Sequence, residues 1–101
     1  MYIRTKDGRI LDFDKLNEVS KLSIDMAEEP IRESENLEEL CDRFVVIDKE
    51  TKEVMNIVSF LAYAKLWSSC KYNIYGSIWT DKGLIYVAKM NDKGELELLW
   101  N

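Results

Sequence analysis

Apolar residues alternate with polar ones near both ends of the chain and recur at helical spacing between them. Residues 2–5, a Lys6-Asp7-Gly8 turn and residues 9–13 read as an opening β-hairpin, with Gly8 supplying the positive φ of a tight turn. Residues 14–27 fit two periods. Leu16, Val19, Leu22 and Met26 recur at helical spacing behind Asp14 as an N-cap, whereas Leu22, Ile24 and Met26 alternate; the pattern predicts a short helix or turn, then a strand over residues 21–26. Pro30 closes that element. Asn36 caps a predicted helix over residues 37–43. Glu39 completes its capping box, and Leu37, Leu40, Cys41 and Phe44 form its buried stripe. The run Phe44-Val45-Val46-Ile47 does not alternate and predicts a central strand, with a short partner strand at residues 53–55. Residues 56–70 predict a second helix, with Ile57, Phe60, Leu61, Ala64 and Trp67 on one face. A meander follows over residues 74–80, 84–90 and 95–100, turned at Asp81-Lys82-Gly83 and at Asn91-Asp92-Lys93-Gly94. The pattern amounts to an α+β fold: an antiparallel sheet of about five or six strands with two helices and a C-terminal β-meander.

Composition narrows the class. The 101 residues are expected to form a single compact domain, 1–101, and a hydrophobic share of 47% beside 33% charged residues argues against disorder. No apolar run is long enough to span a bilayer and the first residues have no secretory core, so the expectation is a cytoplasmic protein without membrane contact. Histidine is absent, which removes the usual general base of a nucleophilic triad and the commonest zinc ligand. With no CxxC pair, no GxxxxGK[ST] and no GxGxxG, neither a catalytic residue, a metal nor a cofactor is expected, and the chain reads as a non-enzyme. Cys41 and Cys70 read as reduced, buried apolar fillers.

Charge changes the picture most. Residues 25–42 hold eight carboxylates (Asp25, Glu28, Glu29, Glu33, Glu35, Glu38, Glu39 and Asp42) against one base, Arg32. That is a net −7 over eighteen residues, and since the whole chain is −5 the other 83 residues carry +2. The plain reading is a solvated face that keeps the protein soluble. The functional reading is a negative surface that pairs with the Lys and Arg side chains of a basic groove, in competition with phosphates. Glu38 and Glu39 also favour a helix start, so the partner-binding expectation rests first on Glu28, Glu29, Glu33 and Glu35, with Glu38, Glu39 and Asp42 as contributors. Tyr72, Tyr75, Trp79, Tyr86 and Trp100 form an aromatic set read as core or interface packing before base stacking, because the chain is acidic and direct nucleic-acid binding is not expected.

Three blocks carry a resemblance: residues 2–8 (YIRTKDG), 37–46 (LEELCDRFVV) and, most specifically, 75–90 (YGSIWTDKGLIYVAKM). They are similar to small hypothetical proteins of phages and prophages of Gram-positive bacteria. The resemblance implies phage origin and brings no activity or catalytic residue. By analogy of class, small acidic phage proteins often inhibit host systems, anti-CRISPR proteins among them. The leading expectation is therefore a phage-encoded inhibitor whose acidic surface occupies a basic groove of a host protein, a CRISPR effector nuclease in its sharpest form. Two alternatives stand beside it. One is a small-ligand binder or sponge for a nucleotide signal, using Arg4, Arg9, Lys71 and Lys89 near Tyr75 and Trp79. The other is a structural or assembly accessory of the phage acting as a homo-oligomer.

Overall fold

Two antiparallel sheets meet in a common core. The computed structural model describes residues 1–25 and 32–99. Strands β1 (Tyr2–Arg4), β2 (Ile10–Asp12) and β3 (Arg32–Ser34) form a three-stranded sheet with β1 in the middle. Strands β4 (Arg43–Asp48), β5 (Val54–Val58), β6 (Tyr72–Thr80), β7 (Gly83–Met90) and β8 (Leu96–Leu98) form a five-stranded sheet in the order β5-β4-β6-β7-β8. The α+β class, the antiparallel pairing and the C-terminal meander β6-β7-β8 agree with the sequence reading; the strands divide between two sheets instead of one. Among the described residues, no helix is long and apolar enough to cross a membrane.

The unbroken apolar run of β4 is explained by its place between β5 and β6. Phe44 and Val46 join Ile74, Leu61 and Ala64 in one core cluster, and Val45, on the opposite face, is buried as well. A second cluster, Ile10, Leu37, Leu40, Ile78, Val87 and Ala88, ties the smaller sheet to the larger. The pairing of β6 with β7 shifts between Gly76 and Ser77, which leaves Val87 as an extra residue on β7. A bulge of this kind lets consecutive Val87 and Ala88 face the same core.

Two helices are shorter than the sequence pattern predicts and one runs further, so three expectations are corrected. First, residues 18–25 are one helix, α1 (Glu18–Asp25), with no strand over 21–25. Its cap is Asn17, whose Oδ1 accepts from the N–H of Ser20 at 2.8 Å, while Asp14 sits inside the preceding 3₁₀ turn Phe13–Lys15 and accepts from the Met1 ammonium. Second, the helix expected over 37–43 is a single 3₁₀ turn, Leu37–Leu40. It stops because the Asp42 N–H bonds Ser77 O at 2.8 Å and β4 starts at once. Asn36 does cap it, accepting from the Glu38 N–H. The box closes through a third residue: Asn36 N–H donates to Ser34 Oγ, which donates to Glu39 at 2.7 Å. Third, the helix expected from residue 56 begins only at α2 (Leu61–Ala64) and continues as 3₁₀ turn Lys65–Trp67. Residues 54–58 instead pair with β4, where Val54, Ile57 and Val58 suit a strand.

Gly8 turns the first hairpin with φ +88° and also touches the larger sheet: a Cβ there would lie 2.8 Å from Thr80 Cγ2. Gly8→Ala therefore carries both backbone strain and a clash. We expect a loss of on the order of 1–3 kcal/mol, read from urea unfolding; a change below about 0.5 kcal/mol would show that the hairpin tip moves away freely.

Candidate functional site

The acidic stretch condenses into a corner made by β3 and the 3₁₀ turn that follows it. Glu33, Glu35 and Glu39 are exposed there and Glu38 is half-buried; Glu28 and Glu29 lie outside the described residues. Arg32 Nη2 donates to Glu39 O at 2.9 Å, and the Ser34–Glu39 hydrogen bond ties strand to turn. Glu35 comes within 3.4 Å of the Met1 ammonium. The corner is thus rigidly built, and Glu33, Glu35 and Glu38 are its outward contribution.

Asp42 has a different place. Its Oδ1 accepts from Arg4 Nη1 at 2.8 Å and its Oδ2 from the backbone N–H of Trp79 at 2.8 Å, with Arg32 at 4.0 Å. Arg4 also donates to Leu40 O and Trp79 O, at 3.3 Å each. The Arg4 and Asp42 side chains are only 17% and 21% exposed, so this pair is an internal clasp between the sheets rather than free surface charge. Partial burial works to raise the Asp42 pKa. The Arg4 and Trp79 hydrogen bonds and the charges of Arg4 and Arg32 outweigh it, and the carboxyl stays below the ordinary carboxylate value. No local signal marks this pairing, because its partners are 38 residues apart.

The two cysteines part company. Cys41 is half-buried against both core clusters, and burial, followed by the nearby Asp42, pushes its thiol up to about 12, with Arg4 opposing weakly. It is a protonated filler at neutral pH. Cys70 is exposed, contrary to the expectation of burial. It follows the 3₁₀ turn at the chain's approach to β6, outside either cluster.

The aromatic set also divides. Tyr72 packs edge-on against Trp67 at 5.4 Å beside the core, while Tyr75 and Tyr86 stack at 5.0 Å across β6 and β7. Trp79 is 52% exposed, so the core half of its reading as core or interface packing does not hold, and Trp100 lies outside the described residues. Sequence reasoning missed an exposed apolar stretch, here called the apolar band: Val54, Met55, Ile57, Phe60, Tyr63 and Leu66 are all exposed within thirteen residues, with Val54 and Ile57 on the Val45 face of the sheet and α2 on the Phe44 face. Assigning Ile57 and Phe60 to a buried helix stripe hid it. Phe60 and Tyr63 contact edge-to-face at 5.7 Å. The acidic corner and the α2 segment both line one groove of about 320 Å³, which takes in Glu35, Glu38, buried Leu61 and Lys65.

These features define an α+β protein of two antiparallel sheets with an acidic corner and an exposed apolar band. No known protein family, curated protein or solved structure matches the chain.

Proposed function

We propose that this chain is a non-enzymatic binding protein that docks on a basic partner surface through its acidic corner, with the apolar band as a second contact. Its sharpest form is a phage-encoded inhibitor acting in the host cytoplasm, an anti-CRISPR that occupies the nucleic-acid groove of an effector nuclease. The observation that supports it is the clustering of exposed Glu33 and Glu35 with half-buried Glu38 at one corner of the fold. Charged side chains beside apolar contacts form the usual anatomy of a protein interface, and residues 54–66 supply six large exposed apolar side chains for the second contact.

The test is a plasmid-interference assay in a host carrying the effector. The triple variant Glu33→Lys, Glu35→Lys, Glu38→Lys is expected to lose inhibition by at least about tenfold, with the loss shrinking as salt rises in a matching binding assay. Thermal unfolding should change little, because Glu39 and Asp42, which hold the fold, are left alone and the Glu35–Met1 contact is an exposed ion pair of small weight. Leu66→Ser, at the outer end of the band, is expected to weaken binding independently of salt. A triple variant that inhibits as well as the parent overturns the mimicry mechanism.

A further inference from the structure

The two faces of the five-stranded sheet differ in what they meet. α2, the Leu37–Leu40 turn and the smaller sheet pack on the face that carries Phe44, Val46, Ile74 and Ile78. Strand register places Val45, Ile47, Ile57, Tyr75, Trp79 and Tyr86 on the other face. Neither buried cluster draws a residue from that second face. An antiparallel sheet with one solvated face alternates apolar with polar residues, whereas strands buried on both faces read as unbroken apolar runs. β4 follows the second pattern, yet Ile57 and Trp79 are 50% and 52% exposed. The composition is that of a covered face and the exposure is that of an open one.

Its charge narrows what can cover it. The chain has nineteen carboxylates, and among the described strand residues one of them, Glu97, lies on this face, in register with Lys89. The bases there are Lys89, 6.0 Å from the Tyr75 ring centroid, and Arg43, whose Nη1 donates to Asp42 O at 2.7 Å. The face is thus close to neutral within a chain of net −5, so two copies can meet on it without bringing their acidic corners together. A nucleic-acid strand would need a basic groove beside the aromatics, and this face has none.

Area and shape also suit a second copy. Strands β5, β4, β6 and β7 give a width of about 19 Å, and residues 73–79 of β6 a length of about 20 Å. Counted on both copies, with side chains standing out of the pleat, the accessible area reaches the lower end of the roughly 1,200–2,000 Å² that stable interfaces bury. Sheets stack face to face at an angle set by their twist, and a second copy supplies a sheet of matching twist.

We propose that this face is covered by the same face of a second copy, forming a β-sandwich dimer. With the two-fold axis running between β4 and β6, the aliphatic strands β4 and β5 of one copy lie over the aromatic strands β6 and β7 of the other. The pairing takes in Val54 and Ile57 of the apolar band and leaves α2 and the acidic corner outside, on the opposite side of each sheet. None of the residues substituted in the inhibition test lies on this face, so the two readings fail separately.

Sedimentation velocity from about 5 to about 500 μM tests it. We expect a reversible rise in mass from 11.9 kDa towards twice that value, undiminished by salt. Ile57→Lys and Trp79→Lys should each weaken association by about tenfold or more, while Leu66→Ser dimerises as the parent does. Should both lysine variants fail to fold, hydroxyl-radical footprinting of the parent decides: Trp79 and Tyr86 should lose reactivity as concentration rises. The proposal is overturned if the parent stays monomeric throughout, if folded lysine variants associate as the parent does, if Leu66→Ser abolishes the dimer, or if Trp79 and Tyr86 stay equally reactive.

Discussion

Asp42→Ala is expected to lower the unfolding free energy at pH 7 by about 2–3 kcal/mol, below the full cost of breaking a buried pair because the side chain is about one-fifth exposed. The substitution leaves Arg4 largely enclosed without its counter-charge and removes the acceptor of the Trp79 N–H, so both sheets lose an attachment. Asp42→Asn should cost less, since an amide oxygen still accepts from Trp79. The pH dependence has a definite sign. Burial raises the Asp42 pKa, but the Arg4 and Trp79 hydrogen bonds and the two arginine charges bring it below its ordinary value. A carboxyl that is more acidic when folded contributes stability that is fully present above the unfolded pKa of about 3.9 and is lost as pH falls through the lower folded value. The gap between parent and Asp42→Asn should therefore be constant from pH 7 to about 5 and close below about pH 4. Urea unfolding across that range checks it. A difference below about 0.5 kcal/mol at pH 7 would mean that the clasp behaves as a solvated surface pair.

Gly76→Ala is expected to cost about 1–3 kcal/mol by overpacking. Gly76 lies in β6 opposite Phe44 and Ala88, and a Cβ there would sit 2.8 Å from Cys41 Sγ and 3.4 Å from Ala88 Cβ. The strand is hemmed in on that face, so the crowding cannot be relieved by a turn of the backbone alone. Removing the sulfur makes room. The double variant Gly76→Ala, Cys41→Ala should be more stable than the sum of its two single variants by about 1 kcal/mol or more, measured as a double-mutant cycle. Because the Cys41 thiol is protonated at neutral pH, that coupling reads volume and not charge. Additive single effects would show that the methyl is absorbed elsewhere.

Legibility follows the range of the interactions. The first hairpin, β4 and the meander could be read because alternation, β-branched runs and Asp-Gly or Lys-Gly turns act over a few residues. Gly8 takes the positive φ expected of it, and Gly83 and Gly94 end the other two turns with positive φ as well. The Asn36 cap was equally local. The length of the helix behind it was not: whether Leu37 starts about two turns or one depends on Ser77, which takes the Asp42 N–H from the neighbouring strand β6. Val54 to Val58 illustrates the same competition. A short strand was expected only over 53–55; the apolar spacing from residue 56 is compatible with a helix, and β4 extends the strand through Val58 by offering a ladder. The acidic block was visible as a count, but its division was hidden. Glu33, Glu35 and Glu38 remain surface, whereas Asp42 is spent on Arg4.

By itself, then, the sequence determined the α+β class, the antiparallel meander, the central β4 and the concentration of acid in one segment, all consequences of local periodicity and turn chemistry. Only the tertiary structure decided which carboxylates face outward, that Arg4, Arg32 and the Trp79 N–H meet at Asp42, and that residues 54–66 expose an apolar band. These depend on contacts between residues far apart in the chain, whose formation no local pattern records.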